Sequence, residues 1–356
     1  MFKYALAAIV SAAIILVTAP AAQAAAAGHK ASTKKHAVAS TTRAKAVANG
    51  GQRSGRVTFR VRGKKIVGHA PVRSAFVMPR SAGDVAGLNL TTDQVGLASN
   101  VAFVLDQTSS EVLFEKNANV ALPIASITKL MTGLVVVQAQ QDMHEMLSIT
   151  DGDIDHEKHT SSRLTIGARM TRGDLLHIAL MSSENRAASA LGRNYPGGIS
   201  AFVDAMNAKA HQLGMHDTHY VDANGLSSRN IASARDLAKL AIAAYQEPLL
   251  REYSTDPKYQ VDAGGRLMHY SNTNYLVASP DWDIGLQKTG FINEAGRCLV
   301  MQAMIQGRAV IMVFLDSKGK QSRTADAGRM RRWIEQLQLR APGLADAFSS
   351  SRPAQP

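Results

Sequence analysis

Cysteine is almost absent from this sequence, since its 356 residues contain a single one, Cys298. A lone cysteine excludes an internal disulfide, and no cluster of thiolates is available for a metal site. Cys298 lies in the apolar run CLVMQAM, which predicts a buried, inert thiol. The folded part must therefore depend on its core, and with 46% apolar residues the chain can form one of considerable size.

Acidic residues are missing from residues 1–83, which contain fourteen Lys and Arg. The rest of the chain has 26 basic and 28 acidic residues, a net charge of −2. The net charge of +12 for the whole chain thus describes its beginning and not the folded part, which argues against a nucleic-acid-binding protein. Aromatic residues make up only 5% of the chain, and Trp282 and Trp333 are better explained as core or groove residues than as a stacking platform.

Long hydrophobic runs are confined to the start of the chain. Lys3 precedes a mostly apolar stretch, Tyr4–Pro20, and small residues follow at Ala22–Ala24. This pattern predicts a signal peptide over residues 1–24 and a secreted, periplasmic protein, with an uncleaved N-terminal anchor as the alternative. Residues 25–90 predict a disordered basic linker that contacts anionic wall or membrane surfaces, in which RVTFRVRGKKIV forms at most an edge ribbon.

Residues 91–340 have the texture of one folded domain, followed by a disordered tail over 341–356. Val101–Asp106 and Glu111–Asn117 are predicted as two strands joined by the turn QTSS, and three further strands are predicted near the end, in DIGLQKTGFI, RCLVMQAMI and AVIMVFLD. Helical periodicity dominates between about 140 and 280. The order predicts an α+β fold, in which a five-stranded antiparallel sheet is flanked by helices and a helical lobe, with a ligand cleft between lobe and sheet.

The segment ALPIASITKLMT carries the first chemical signal. A helix begins near Ser126, and Lys129 follows one turn later on the same face. A serine hydroxyl is a weak nucleophile until a base removes its proton, and lysine becomes such a base when burial lowers its pKa. Ser126 is therefore the candidate nucleophile and Lys129 its proton acceptor, although an isolated S-x-x-K is more often a capping serine and a solvated lysine.

Two further motifs strengthen this assignment. In MSSENRAASALG, Ser183 and Asn185 form an S-x-N at the start of a helix, where Ser183 could relay protons and Asn185 could bind a substrate carbonyl. Lys288, Thr289 and Gly290 form a K-T-G within a predicted strand, which could pair with an extended peptide while Lys288 and Thr289 hold a carboxylate. Together the motifs match the set of class A β-lactamases and penicillin-binding proteins.

With LPIASITKLMT, FVDAMNAKAHQLGMHDTHYVDANGL and KTGFINEAGRCLVM, the chain resembles the D-alanyl-D-alanine peptidases, the low-molecular-mass penicillin-binding proteins. The last segment is most similar to their endopeptidase branch. The resemblance implies a β-lactamase/DD-peptidase-like fold, peptidoglycan stems and cross-links as substrates, and β-lactams as covalent inhibitors. It also implies catalytic roles for Ser126, Lys129 and Ser183, substrate binding by Lys288, and an oxyanion hole formed by the N–H groups of Ser126 and Phe291.

Several alternatives and departures remain. Many family members have histidine where this chain has Phe291, and the second β-rich domain and C-terminal anchor of the carboxypeptidases are not expected here. A D-Ala-D-Ala carboxypeptidase, a class A β-lactamase and a non-catalytic wall-binding module are the rival functions. No metal or cofactor is expected, because His156 and His159 lie in a polar loop without the H-E-x-x-H spacing of a zinc helix.

Overall fold

A computed structural model describes residues 56–61, 64–69 and 80–340, with the backbone alone for the first two segments and for residues 338–340. The strands are, in chain order, β1 (Arg56–Val61), β2 (Lys64–His69), β3 (Ser99–Asp106), β4 (Val112–Lys116), β5 (Leu122–Pro123), β6 (Met146–Ser148), β7 (Arg169–Thr171), β8 (Ile231–Ala232), β9 (Lys258–Asp262), β10 (Leu267–Ser271), β11 (Asp283–Ile292), β12 (Gly296–Ile305) and β13 (Arg308–Ser317). The α-helices are α1 (Ala82–Val85), α2 (Thr128–Gln138), α3 (Arg172–Met181), α4 (Asn185–Arg193), α5 (Gly198–Gln212), α6 (Ala234–Tyr245), α7 (Pro248–Thr255) and α8 (Ser322–Arg340). Short 3₁₀ helices span Leu88–Leu90, Ala125–Ile127, Asp151–Asp153 and Tyr275–Ala278.

The central sheet has the strand order β11-β12-β13-β3-β4, and every neighbouring pair is antiparallel. The sheet therefore combines two strands from the start of the domain with three from its end, which confirms the predicted five-stranded antiparallel sheet. β11 lies at one end of this order, so that one of its edges has no strand partner within the described part of the chain.

Apolar layers cover both faces of the sheet. On β13, Val313 and Leu315 pack in the layer shared with α2 and α6, whereas Met312 and Phe314 pack in the layer under α8. Successive side chains of a strand point to opposite faces, so a strand covered on both sides must be apolar throughout. Cys298 lies in the first of these layers and is fully buried, which confirms the prediction of a buried thiol, and burial raises its pKa to about 12.

The helical lobe surrounds α2, whose residues from Thr128 to Val136 are all buried. Two neighbouring helices start at capping side chains. Thr171 accepts a hydrogen bond from the backbone N–H of Asp174 at the start of α3, and Ser233 accepts one from the backbone N–H of Asp236 at the start of α6. Such caps satisfy backbone donors that have no partner inside the helix. The predicted helix after Pro123 and the helical character of the middle of the chain are both confirmed.

The ordered domain begins earlier than the sequence indicates. Ser81 donates a hydrogen bond to the carboxylate of Asp316 over 2.8 Å, and the backbone N–H of Ala82 donates to Glu294 over 2.8 Å. The prediction that the linker extends to residue 90 is therefore wrong for residues 81–90, because these contacts attach them to the sheet. In the sequence, a polar segment that is held only by distant tertiary contacts has the same pattern as a linker.

Strands β1 and β2 form a two-stranded sheet of their own. β1 and β2 pair antiparallel from Arg56 opposite His69 to Val61 opposite Lys64. The remainder of the predicted linker, the signal peptide and the tail at 341–356 lie outside the described residues. No helix in the described ranges is long and apolar enough to span a bilayer.

Candidate active site

Ser126 lies on the 3₁₀ helix Ala125–Ile127, which continues directly into α2. The preceding Ala125 has a φ of 49°, in the left-handed region that residues other than glycine rarely adopt. Such a conformation costs about 1–3 kcal/mol and persists only where the surrounding packing enforces it. Ala125 is fully buried, so the strained turn is held in place, while Ser126 itself stays partly exposed.

Two glycines pack directly against this turn. A Cβ atom at Gly225 would lie 2.0 Å from the carbonyl oxygen of Ala125, and one at Gly290 would lie 2.8 Å from that of Ile124. The Cβ at Gly290 would also lie 3.2 Å from the backbone nitrogen of Ser126. Strand β11 and the turn at Gly225 can therefore approach the backbone of the candidate nucleophile only because both positions lack a side chain.

Lys129 is fully buried, and its amino group is surrounded by three acceptors. Its Nζ lies 2.8 Å from Oγ of Ser126, 2.8 Å from Oδ1 of Asn185 and 2.5 Å from the carbonyl oxygen of Asn224. These contacts fix the amine against the hydroxyl of Ser126. The predicted proximity of Ser126 and Lys129 is thus present.

Burial lowers the pKa of Lys129 from its usual value to about 7, against the opposing effect of the nearby carboxylates of Asp222 and Glu184. An ammonium group that has lost its hydration shell is less stable than the neutral amine, so the proton is released at lower pH. At neutral pH a substantial fraction of Lys129 is therefore neutral. A neutral amine has a lone pair that can accept the proton of Ser126.

Ser183 lies between α3 and α4 and Asn185 is the first residue of α4, as the S-x-N pattern predicts, but only Asn185 is hydrogen-bonded to Lys129. Asn185 accepts the hydrogen bond from Lys129 and donates one to Oγ1 of Thr160 over 3.1 Å. Ser183 has a φ of 64° and is partly exposed, and among the described residues its hydroxyl makes no hydrogen bond. Its role as a proton relay remains a prediction.

The K-T-G motif lies on β11, at the edge of the sheet. Lys288 is fully buried, and its Nζ donates a hydrogen bond of 3.0 Å to the carbonyl oxygen of Thr289. Burial lowers the pKa of Lys288 well below its usual range, and the nearby cations Lys129 and Arg323 lower it further. Oγ1 of Thr289 lies 2.6 Å from Oγ1 of Thr273.

The turn at Asn224 belongs to the site, although the sequence identifies VDANGL only as a turn. Oδ1 of Asp222 accepts hydrogen bonds from the backbone N–H groups of Asn224, over 3.0 Å, and Gly225, over 2.5 Å. Asp222 thereby holds the turn that presents the carbonyl oxygen of Asn224 to Lys129. A main-chain acceptor is independent of side-chain identity, so residue-type patterns cannot reveal it.

Arg323 is a second residue that the sequence analysis did not identify. It lies in the first turn of α8, and its Nη1 donates hydrogen bonds to the carbonyl oxygens of Gly290, over 2.7 Å, and Cys298, over 3.3 Å. Burial lowers its pKa to about 10. Arg323 therefore places a positive charge beside the K-T-G strand, and the sequence offered no signal because the helix pattern around it is ordinary.

The polar loop that follows Asp155 borders the site without forming a histidine cluster. His156 and His159 are exposed, and the described residues contain no cluster of metal-ligating side chains. Between them, Lys158 forms an ion pair of 2.5 Å with Glu294 in the β11–β12 turn. The loop therefore connects the helical lobe to the sheet near the end of the K-T-G strand.

Comparison with known proteins matches the amino-acid sequence to one family. Residues 89–319 match the peptidase S11 family, described as D-alanyl-D-alanine carboxypeptidase. A D-alanyl-D-alanine endopeptidase of Pseudomonas aeruginosa is 47% identical over 270 residues, which cover 75% of this chain and 86% of that protein. A D-alanyl-D-alanine endopeptidase of Escherichia coli is 41% identical over 268 residues, which cover 74% of this chain and 86% of that protein.

Solved structures agree with this fold. Penicillin-binding protein D2 from Listeria monocytogenes in its cefotaxime-bound form superposes with a TM-score of 0.61 at 28% identity. The superposition covers 68% of this chain and 98% of that one. The predicted fold class is thus confirmed.

Proposed function

Because the chain belongs to the S11 family of D-alanyl-D-alanine peptidases, we propose that it is a serine endopeptidase that hydrolyses D-alanyl cross-links of peptidoglycan. The observation that carries the chemistry is the fully buried Lys129, whose amine lies 2.8 Å from the hydroxyl of Ser126 and has a pKa of about 7. The choice of cross-links as substrates is supported by the names of the two relatives at 47% and 41% identity.

The reaction begins with attack by Oγ of Ser126 on the carbonyl carbon of the substrate's D-alanine. The C–O bond forms, the C–N bond breaks, and the proton of Ser126 passes through Lys129 to the leaving nitrogen, with Ser183 as the proposed relay. The N–H groups of Ser126 and Phe291 would stabilise the oxyanion, and each such donor contributes about 3–4 kcal/mol in related chemistry. Water then attacks the carbonyl carbon of the acyl-enzyme while Lys129 accepts its proton. The ester C–O bond to Ser126 breaks, and Lys129 returns the proton to Oγ of Ser126, which releases the shortened stem as a carboxylic acid.

Strand β11 supplies the substrate-binding edge. An extended peptide can add to this edge through main-chain hydrogen bonds, and Lys288 and Thr289 on the same strand are the proposed partners of a carboxylate beside the scissile nitrogen. The lowered pKa of Lys288 does not oppose this role, because an incoming carboxylate favours the ammonium form. β-Lactams carry a comparable carboxylate, and we propose that they acylate Ser126.

A carboxypeptidase is the second candidate, because the family match itself is described by that activity. Both reactions have a carboxylate next to the leaving nitrogen, so the two substrates differ only in the part of the leaving group beyond that carboxylate.

We expect the protein to release monomers from a diaminopimelate cross-linked dimer muropeptide faster than it releases D-alanine from a monomeric pentapeptide. Equal concentrations of both substrates, with products identified by mass spectrometry, provide the measurement. Faster release of D-alanine would make the carboxypeptidase assignment correct.

We propose further that the protein acts outside the cytoplasm, in the periplasm, in remodelling of the wall and thereby of cell shape. The apolar leader and the basic residues before Asp84 support this proposal.

Deletion of residues 25–79 is expected to leave hydrolysis of small soluble substrates intact and to weaken binding to sacculi. The lost binding should be salt-sensitive, because attraction between exposed charges is screened beyond a Debye length of about 8 Å at physiological ionic strength. Co-sedimentation with sacculi at low and high salt measures this, and loss of small-substrate hydrolysis would show that the segment is part of the fold.

A further inference from the structure

A cavity of about 390 Å³ lies beyond the end of the K-T-G strand. Three segments form its walls: the start of the ordered domain, the β11–β12 hairpin and the end of β13 with the loop that precedes α8. The residues that line it are Arg80, Ser81, Asp84, Phe291, Asn293, Gly296, Arg297, Asp316, Ser317, Lys318, Gly319 and Lys320. Phe291 belongs both to this wall and to the strand that carries Lys288, so the cavity adjoins the active site.

A line of cations connects the active site to the cavity. Lys288 lies close enough to Arg323 for the guanidinium of Arg323 to lower the pKa of Lys288. Arg297 in turn lowers the pKa of Arg323. Arg297 lies over the ring of Phe291, with its guanidinium carbon 4.6 Å from the ring centroid. Positive charge therefore continues from the K-T-G strand into the cavity wall.

The cavity carries more positive than negative charge. Its lining has four basic residues and two acidic ones, Asp84 and Asp316. Asp84 is paired with Lys318. Asp316 is almost fully buried and accepts hydrogen bonds from Ser81 and Asn100, and burial raises its pKa.

Three of the four cations form no ion pair among the described residues, since only Lys318 is paired with a carboxylate. The guanidinium of Arg80 donates a hydrogen bond to the backbone carbonyl oxygen of Asp84 over 2.8 Å, whereas Arg297 and the exposed Lys320 make no side-chain hydrogen bond there and are left to attract a ligand. The opposite wall contributes an apolar surface, since the ring of Phe291 is 47% exposed. A flexible chain with methylene groups and several carboxylates would match both features.

We propose that this cavity binds the stem peptide that leaves when a cross-link is cut, with Arg297 and Lys320 attracting its carboxylates and Phe291 supporting its methylene chain. The inference rests on the proposed function and adds a substrate subsite to it. In a cross-link the leaving nitrogen belongs to a second peptide that bears several carboxylates, whereas in a carboxypeptidase reaction only D-alanine leaves. D-alanine is too short to extend past the K-T-G strand, so the cavity favours cross-links.

The test compares three substrates in the double variant Arg297→Glu/Lys320→Glu. We expect kcat/KM for the dimer muropeptide to fall about tenfold, mainly through KM, since each reversed charge adds repulsion to lost attraction. Acylation by fluorescent penicillin and release of D-alanine from the monomeric pentapeptide should fall clearly less than hydrolysis of the dimer, because neither substrate reaches the cavity and only the longer-range effect of Arg297 on Arg323 acts on them. Arg332→Glu is the matched control, as it reverses an exposed charge on α8 outside the cavity.

A binding measurement separates this inference from the proposed function. In Ser126→Ala protein, calorimetry should show tighter binding of the dimer than of the monomer, and the added charge reversals should remove that difference. An unchanged difference, or equal losses for dimer and monomer, would overturn the cavity assignment. If the wild-type protein cannot hydrolyse the dimer, the proposed function fails, and the binding comparison still decides whether the cavity recognises the second stem.

Discussion

Replacing Ser126 by alanine is expected to abolish covalent labelling by fluorescent penicillin. The hydroxyl of Ser126 is the one that Lys129 contacts at 2.8 Å, and without it no ester can form. Labelled protein separated by denaturing electrophoresis gives the measurement, and mass spectrometry of the wild-type peptide should place the adduct on Ser126. The fold should survive, because Ser126 is partly exposed and the change removes one oxygen atom.

Ser109→Ala provides the matched control for this prediction. Ser109 is exposed on the turn between β3 and β4, whereas β11 lies at the opposite end of the strand order. Its variant should be labelled like the wild type. Full labelling of Ser126→Ala would show that another residue is the nucleophile, with Ser183 the first to examine.

Acylation should depend on pH through Lys129. Only the neutral amine accepts a proton, and burial lowers the pKa of Lys129 to about 7. The apparent acylation rate should therefore rise about tenfold per pH unit below pH 7 and level off above it. A stopped-flow or gel-based rate measured with one penicillin between pH 5 and pH 9 provides the profile.

The variant Lys129→Arg tests the proton-acceptor role of Lys129, because arginine keeps the positive charge of the ammonium form but cannot become neutral. A guanidinium group stays protonated throughout this range, so the acylation rate should fall by about 10²–10⁴ and lose its rise near pH 7. Lys258→Arg is the control, since Lys258 is exposed on β9. A rate that decreases as pH rises through 7 in the wild type would mean that the ammonium form of Lys129 is required, and the proton-acceptor role would be wrong.

Local sequence was sufficient for the parts of the molecule that depend on short-range geometry. One helical turn places Ser126 and Lys129 on the same face, and the short apolar runs of β3, β12 and β13 indicate strands of the sheet. The K-T-G motif was correctly expected in a strand, since it lies in the first of three consecutive strand-like segments near the end of the chain. These features follow from neighbouring residues, so they can be inferred before any tertiary contact is known.

The start of the domain was predicted incorrectly because its order depends on a distant partner. Ser81 is separated from Asp316 by 235 residues, and only their hydrogen bond shows that the chain at residue 81 is attached to β13. A short polar segment has no periodicity of its own, and its stability comes from the surface on which it packs.

What the sequence alone determined was the set of chemical groups and their order: a serine and a lysine one turn apart, an S-x-N and a K-T-G. Only the tertiary structure decided which groups meet. It buries Lys129, lowers its pKa and brings the carbonyl oxygen of Asn224, 95 residues away, to within 2.5 Å of Nζ. It also places Arg323 beside Gly290 and forms the cationic cavity from three distant segments. Burial and long-range proximity set electrostatic energies, and both are properties of the folded chain.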